Sequence, residues 1–413
     1  LGVGYICGPK ISSYLLAGGT VAWFALMPLI ALFGGDMVMF PGTEPISTFS
    51  PDAIWSTYIR YIGAGAVACG GILSLIKSLP MIVRTFRDAM KGLKGGSAND
   101  NSRTAQDLSM NIVLIGIGVI AIAMWLIPAI PVNLIGAIII VICGFFFATV
   151  SSRMVGIVGS SNNPVSGMAI ATLLIATMLL KASGMIGYPG MVSAIAIGTV
   201  ICIIAAVAGD TSQDLKTGYI VGATPKKQQI GELIGVVVSA LAIGGILYLF
   251  NNAWSYGTSE LPAPQAMLMK MVVEGVMGGN LPWNLVFVGV GIAIVVEILG
   301  IPVLPFAVGL YLPIYLSTPM MVGGAVRWFF ERKGNNKEGI DRGVLYCSGL
   351  IAGEGLVGIL LAVFAVIKVG GTSLGDIIGN CLPFSLGNWG GLVIFAALTA
   401  TLFAVVSKKS KKN

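Results

Sequence analysis

Residues 209–235 place acidic, amide, hydroxyl and basic side chains between two long apolar stretches, in the run GDTSQDLKTGYIVGATPKKQQIGELIG. A zwitterionic ligand with several amide groups needs a carboxylate for its ammonium end, a cation for its carboxylate end and hydrogen-bonding groups between them. This run supplies all three kinds of group within a few residues. The residues predicted to bind or gate such a ligand are Asp210, Thr211, Ser212, Gln213, Asp214 and Lys216.

The same run has a structural alternative. It could be a cytoplasmic loop between two predicted membrane helices, Pro189–Ala208 and Ile230–Phe250, with Asp210 capping a helix N-terminus. The lysines of the run would then lie at the cytoplasmic edge of the membrane. The sequence alone leaves both interpretations open.

A second polar interruption, RMVGIVGSSNNPVSGM, separates two apolar stretches at residues 153–168. Its proline cannot continue a helix from upstream, its asparagines favour a turn, and a serine after them can cap the next helix. At membrane depth, such a break is tolerated where it faces a cavity or is buried in protein. The alternative is an ordinary polar loop. The residues predicted to contact a ligand here are Ser160, Asn162, Asn163 and Ser166.

Three glutamates lie within apolar stretches, where an ionised side chain costs roughly 2.5–3.5 kcal/mol at a helix centre. The sequence contains no histidine, the usual proton shuttle. Glu354 and Glu297 are therefore the leading candidates for proton coupling, followed by Glu232. The alternative is a structural glutamate that is bonded to the backbone or to an arginine.

The composition requires that these side chains be positioned by membrane helices. Of the 413 residues, 56% are hydrophobic and 10% are charged, whereas soluble domains carry about a quarter charged residues. Apolar stretches of about 18 to 22 residues match the thickness of a bilayer, and they show no strict alternation. We predict an all-α polytopic integral membrane protein with about 12 transmembrane or re-entrant helices.

Charge placement predicts the topology. Four lysines crowd the C-terminus, and residues 77–107 carry six basic against three acidic side chains. By the positive-inside rule both regions face the cytoplasm of a multi-pass protein in the plasma membrane. Lysines beside a membrane are an ordinary topology signal, so no nucleic-acid partner is predicted. The six cysteines form no CxxC pair, and neither a metal site nor a cofactor is predicted.

An internal repeat appears when the sequence is shifted by 305 positions, and internal duplication is typical of secondary transporters. We predict the rest of a first repeat half at 1–109, with a cytoplasmic basic loop at 77–107, a second half at 110–406 and a basic cytoplasmic tail at 407–413. A parallel repeat would require the matching helices to cross the membrane in one direction, but the helix count gives opposite directions. The matched residues are Val3-Gly4 with Val308-Gly309, Ser12 with Ser317, Gly18-Gly19 with Gly323-Gly324, and Trp23-Phe24 with Trp328-Phe329.

Five segments together resemble the oligopeptide transporter (OPT) family, in its bacterial branch, which is related to the yellow-stripe-like carriers of metal chelates. The longest and most specific segment is 209–232. The others are LGVGYICGPK at 1–10, GSSNNPVSGM at 159–168, GLYLPIYLSTPMMVGG at 309–324 and GLIAGEGLVGILLA at 349–362.

This resemblance implies a carrier of about sixteen helices, built by duplication and usually driven by proton entry. The chain is shorter, so we expect an N-terminally incomplete fragment. The predicted function is proton-coupled import of small oligopeptides or peptide-like compounds by alternating access. The runner-up is a carrier of metal chelates of the siderophore or nicotianamine type. Protons, the substrate and the lipid bilayer are the predicted partners, and the sequence does not predict the oligomeric state.

A membrane-embedded enzyme is the third alternative. An intramembrane aspartyl protease would need a GxGD motif, and the sequences that end at Asp210 and Asp376 both lack the first glycine. Metalloprotease chemistry is excluded by the absence of histidine.

Two further predictions concern charged residues at the ends of apolar stretches. Arg60, Arg153 and Arg327 are expected to extend their guanidinium groups to the membrane interface. Residues 263–277 carry Lys270 and Glu274 at helical spacing and are expected to form an amphipathic helix.

Overall fold

A computed structural model of the chain describes residues 1–94, 102–158, 165–258, 260–278, 281–332, 337–381 and 387–408. This part of the chain is almost entirely helical, with one short antiparallel ribbon of β1 (Lys368–Val369) and β2 (Thr372–Ser373). The α-helices are α1 Gly2–Cys7, α2 Pro9–Thr20, α3 Met27–Gly34, α4 Pro51–Ile54, α5 Arg60–Lys94, α6 Met110–Leu126, α7 Leu134–Val158, α8 Val165–Ala182, α9 Gly187–Val221, α10 Pro225–Ala253, α11 Pro264–Gly278, α12 Trp283–Ile298, α13 Val303–Tyr311, α14 Ile314–Arg332, α15 Lys337–Val366, α16 Leu374–Cys381 and α17 Gly387–Ser407.

Two π-helical turns, Val21–Leu26 and Trp55–Ile59, join neighbouring α-helices without a break. In the described part of the chain, seven helical stretches are long and apolar enough to cross a membrane, and three apolar helices are shorter. Many of their Leu, Ile and Val side chains are exposed, as expected of surfaces that face lipid. The chain is therefore an all-α multi-pass membrane protein, as predicted, while the predicted number of about 12 helices is not confirmed.

The chain divides into two compact units. The first unit comprises Leu1–Val67, Gly244–Pro264 and Pro282–Asn413, and the second comprises Ala68–Ile243 and Gln265–Leu281.

The second unit is built on α7, α8 and α9. Small buried residues of α9 recur at helical spacing and let neighbouring backbones approach closely, as is usual between membrane helices. A Cβ at Gly198, for example, would lie 2.8 Å from the Leu173 side chain of α8. Helix α11 adds Val273 and Met277 to this core. The helix predicted at residues 263–277 is thus confirmed, and Lys270 pairs with Glu274 at 3.6 Å.

In the first unit, helices α1 and α2 cross α13 and α14 through glycines. A Cβ at Gly4 would overlap the carbonyl oxygen of Met320, and a Cβ at Gly309 would overlap the carbonyl oxygen of Leu15. Gly4 matches Gly309 at the 305-residue shift, and Leu15 matches Met320. The two contacts are therefore reciprocal, which is the pattern that a local two-fold relation generates.

The matching helices α2 and α14 run antiparallel. A Cβ at Gly324 would lie 2.7 Å from Ser12, and a Cβ at Gly19 would lie 3.6 Å from the Ser317 hydroxyl. The start of α2 therefore lies beside the middle of α14, and the end of α2 lies beside the start of α14. This direction agrees with the predicted helix count rather than with a parallel repeat.

Three helix boundaries differ from the predicted ones. Helix α9 continues from the predicted end at Ala208 to Val221, because its sequence contains no proline after Pro189. Helix α10 begins at Pro225 rather than at Ile230. Helix α5 extends through Lys94, so the first part of the predicted basic loop at 77–107 is helical.

Candidate functional site

The first part of the polar run, from Gly209 to Val221, lies inside α9 rather than in a loop, and its last part lies in α10. Asp210 is therefore not a helix N-cap, and this part of the structural alternative is wrong. The helix ends at Gly222, whose left-handed backbone (φ 73°) suits a residue without a Cβ. The amide of Ala223 donates to the Gly218 carbonyl at 2.8 Å, which completes the turn into α10.

Arg103, which precedes α6, binds the turn between α9 and α10. Its guanidinium donates to the Gly222 carbonyl at 2.7 Å and to the Thr224 hydroxyl at 3.1 Å. The amide of Lys226 donates to the Gln106 carbonyl at 3.0 Å. The segment before α6 therefore fixes the α9–α10 turn through charged and backbone hydrogen bonds.

Helices α9 and α10 bring two carboxyl groups together. The Glu232 carboxyl group lies close to the Thr211 side chain and within electrostatic range of Asp214. Gln228 donates to the Asp214 carbonyl at 3.2 Å. We call Thr211, Asp214, Gln228 and Glu232 the polar hairpin.

Two oxygens of the polar hairpin have unused hydrogen-bonding capacity. Glu232 Oε1 and Gln228 Oε1 are both buried, and neither finds a partner within the described residues. Gly218 makes room for the Gln228 amide, because a Cβ there would overlap it. Since buried polar atoms are normally hydrogen-bonded, this pair of oxygens is suited to accept a proton or the donor groups of a ligand.

The other predicted residues of this run have different surroundings. The Ser212 hydroxyl donates to the Ser152 carbonyl of α7 at 2.6 Å and joins the two helices. Asp210 and Lys216 are exposed, and Gln213 is half-buried. The structure therefore brings Thr211 and Asp214 together with Glu232, and directs Ser212 to α7.

The predicted residues of the second polar run cannot be placed. Ser160, Asn162 and Asn163 lie outside the described residues. Ser166 lies in the first turn of α8, but its side chain is also outside the description. Their role as ligand contacts stays a prediction.

The two leading proton-coupling candidates lie in the first unit. Glu297 is half-buried in the last turn of α12, which ends at Ile298. Glu354 lies midway along α15 and is exposed. A Cβ at Gly353 or Gly355 would meet nothing within 4 Å. Coupling roles for both glutamates stay predictions.

A cavity of about 430 Å³ opens in the first unit, and the sequence did not reveal it. We call it the aromatic cavity. The side chains that define its chemistry are Asp52, Trp55, Arg60, Thr258, Tyr311 and Tyr315.

Arg60 is the cation of this cavity. Its guanidinium carbon lies 5.9 Å from the ring centroids of both Trp55 and Tyr311, and its Nε donates to the Tyr311 hydroxyl at 3.3 Å. The prediction that Arg60 extends to the interface missed these contacts. The signal is structural: the π-helical turn Trp55–Ile59 directly precedes Arg60, and such turns are frequent at functional sites.

Arg327 has a structural role that the interface prediction also missed. It donates to the carbonyls of Tyr5 at 3.1 Å and Ile6 at 2.6 Å, and it pairs with Glu331 at 2.7 Å. These carbonyls end α1, where Gly8 (φ 86°) interrupts the chain before α2. Arg327 therefore caps the broken helix, because carbonyls at a helix C-terminus attract a cation.

Comparison with known proteins provides relatives along the whole chain. It is 29% identical to a Haemophilus influenzae protein named "Putative oligopeptide transporter", over 100% of this chain and 72% of the relative. Two plant relatives are named "Probable metal-nicotianamine transporter": YSL11 of Oryza sativa subsp. japonica, 23% identical, and YSL5 of Arabidopsis thaliana, 26% identical. Each match covers 89% of this chain, but 56% and 57% of the respective relatives, so the chain spans little more than half their length.

No solved structure matches the chain. The named relatives are transporters rather than enzymes. The family profile described as OPT oligopeptide transporter protein matches residues 1–365. Together with the apolar helices and the buried polar groups between them, this match leads to one conclusion: the chain belongs to the OPT oligopeptide transporter family.

Proposed function

We propose that this protein is a secondary active transporter that imports small oligopeptides or peptide-like compounds by alternating access, driven by proton entry. We further infer that its bundle is internally duplicated, since the glycine contacts of α1 and α2 with α13 and α14 are reciprocal. The single observation that carries the proposal is the polar hairpin, in which a buried carboxyl oxygen lacks a described partner.

The polar hairpin suits proton coupling because of where it lies. Both of its helices are among those long and apolar enough to cross a membrane. Ionisable groups within such helices are costly and typically mark proton relays or substrate paths. When both carboxyl groups are charged they repel each other, and a proton on Glu232 relieves this repulsion. A cycle of uptake and release at this pair would couple proton entry to a change of conformation.

The test is uptake of a radiolabelled tripeptide into proteoliposomes under an imposed proton gradient. Wild-type protein should accumulate the peptide above its external concentration, and a protonophore should abolish this accumulation. Glu232→Gln keeps the shape of the side chain but removes its titrating proton. We expect this variant to lose uphill accumulation while it still exchanges peptide between the two sides.

Glu274→Gln is the matched control, because Glu274 lies in an exposed ion pair with Lys270 on α11. It should accumulate peptide like the wild type. Gradient-driven accumulation that persists in Glu232→Gln and is lost in Glu354→Gln would move proton coupling from the polar hairpin to α15. Uptake that ignores the gradient in the wild type would refute proton coupling altogether.

The second candidate function is transport of metal chelates. It is favoured by the names of the plant relatives, which describe metal-nicotianamine transporters. Peptides and such chelates both carry carboxylate and amino groups, so the same polar side chains suit either one. A substrate panel in proteoliposomes separates the two. Uptake of iron or zinc nicotianamine without uptake of tripeptides would establish the second candidate.

A further inference from the structure

We propose that the aromatic cavity is a binding site for the free carboxylate of a small zwitterionic, amino-acid-like ligand, with Arg60 as the group that binds it. The inference rests on the proposed function, because the ligand would be the transported substrate. The aromatic cavity is distant in sequence from the polar run, and the proposal states which ligand group it binds.

Arg60 is held ready to bind an anion. Trp55 and Tyr311 flank the guanidinium, and the Tyr311 hydroxyl accepts from its Nε. Its two terminal amino groups donate to no described residue, and it forms no ion pair within the described part of the chain. A planar guanidinium fork with both ends available matches the two oxygens of a carboxylate.

Arg60 also lies where pairing with an anion is most favourable. The side chain is half-buried, nine residues into the helical stretch Pro51–Met81, which is apolar enough to cross a membrane. A cation in such surroundings is costly without a partner, so it normally pairs with protein or marks a substrate path. Because no described carboxylate pairs with it, a ligand carboxylate is the partner that this site lacks.

Asp52 supplies the opposite charge at the exposed edge of the same cavity. It lies in the first turn after Ser50, whose side chain accepts from the Ala53 amide at 3.3 Å. Asp52 and Arg60 are eight positions apart, which corresponds to about 12 Å along a helix axis. An extended tripeptide spans about 10 Å between its ends. The two charges therefore suit the ammonium and carboxylate ends of a ligand of that length.

The walls of the cavity favour an amino-acid-like ligand over a bare anion. Trp55 and Tyr311 provide apolar faces, and Tyr315 adds a third ring. The buried Nε1–H of Trp55 has no acceptor among the described residues, so it can donate to a ligand carbonyl. The volume of about 430 Å³ falls within the usual range of small-molecule sites.

The test is direct binding to the purified protein in nanodiscs, without any gradient. Isothermal titration compares trialanine with trialanine amide, which keeps the ammonium group but lacks the carboxylate. We expect the acid to bind roughly 10- to 100-fold more tightly than the amide, the range for hydrogen bonds to a charged group. In Arg60→Gln the two should bind alike. N-acetyl trialanine and Asp52→Asn probe the ammonium end in the same way.

Arg332→Gln is the matched control, because Arg332 also lies over a tryptophan, Trp328, at 5.2 Å, but does not line the cavity. It should keep the full preference for the acid. Equal binding of acid and amide by the wild type, a comparison that needs no variant, would overturn the proposal. A preference that survives in Arg60→Gln would do the same.

The outcomes also separate this site from the proposed function. Arg60-dependent preference for the acid, together with uptake that ignores a proton gradient, would keep the site and remove proton coupling. Gradient-driven uptake together with equal binding of acid and amide would support the proposed transport function and refute the carboxylate site. Zinc nicotianamine as a competitor identifies the source of the carboxylate: displacement of trialanine that requires Arg60 assigns the site to chelates as well.

Discussion

Two stretches of the first unit, residues 3–24 and 308–329, match at the 305-residue shift. They share their helix packing but differ in the side chains that form specific contacts. Gly4 and Gly309 each meet a backbone carbonyl of the other stretch, and the contacts are reciprocal. At other matched positions the side chains differ: Arg327 occupies the position of Ala22, and Tyr311 that of Ile6. Arg327 caps α1, and Tyr311 orients Arg60.

This difference separates two kinds of constraint. Where two backbones touch, only glycine fits, and both stretches need it because each contact has a counterpart. Where a side chain binds a carbonyl or lines a cavity, a change in one stretch leaves the packing of the other intact. We therefore expect substitutions at the shared glycines to act alike in both stretches, and substitutions at the differing positions to act in one place.

The largest effect should come from Gly4→Ala and Gly309→Ala. Each added methyl group would overlap a backbone carbonyl, which cannot rotate away as a side chain can. We expect each to lower the free energy of unfolding by about 3 kcal/mol, the upper part of the usual range for overpacking. Steric trapping in bicelles measures this quantity. Gly353→Ala, which meets nothing within 4 Å, is the control; a similar loss there, or a clear difference between Gly4 and Gly309, would break the comparison.

Arg327→Ala makes the second stretch resemble the first, which has Ala22 at this position. The carbonyls of Tyr5 and Ile6 would lose their donor, so we expect a loss of about 2 kcal/mol, typical of hydrogen bonds to a charged group. The same measurement checks it. Ala325→Ser, at an exposed position of the same helix, should be close to neutral. An unchanged stability in Arg327→Ala would mean that these carbonyls need no cap.

Ser12 and Ser317 match in sequence but differ in bonding. Ser12 donates to the Gly4 carbonyl at 3.1 Å, whereas the buried hydroxyl of Ser317 finds no partner within the described residues. Ser12→Ala should therefore cost about 1 kcal/mol, and Ser317→Ala should be neutral or stabilising. Thermal unfolding of the two variants side by side measures the difference. Equal costs would show that both hydroxyls are bonded alike.

Tyr311→Phe should have the smallest effect of these substitutions. It removes the hydroxyl that accepts from Arg60 but keeps the ring over the guanidinium. We expect the affinity for trialanine to fall about threefold, because the Tyr311 hydroxyl orients the charged guanidinium without itself contacting the ligand, so only part of the strength of this hydrogen bond contributes to binding. Titration in nanodiscs measures it. Tyr315→Phe, whose hydroxyl forms no hydrogen bond with the described residues, is the control.

Features carried by neighbouring residues could be predicted from the sequence. Apolar composition predicts the all-α membrane class, and the spacing of Lys270 and Glu274 predicts α11. The run after Gly209 draws attention because its polar groups are consecutive, although its helical state was missed. The sequence ranks Glu354 and Glu297 above Glu232, since hydropathy alone does not show that Glu232 has a charged neighbour; which of the three couples protons stays a prediction.

The aromatic cavity could not be predicted, because its parts are distant in sequence. Arg60 and Tyr311 lie 251 positions apart and meet only through the crossing of the helices that carry them. The cap on α1 is similar: Arg327 and Ile6 are 321 positions apart. Sequence spacing reveals neighbours along one helix, whereas these contacts depend on tertiary packing.

The glycine crossing has a consequence for the route of any cargo. Where the carbonyl of Met320 fills the space that a methyl group at Gly4 would take, neither water nor a dissolved ion has room to pass. The two helices are therefore closed to solutes at this crossing without any movement of the protein. If the protein carries solutes as proposed, their path must therefore run beside this junction rather than through it.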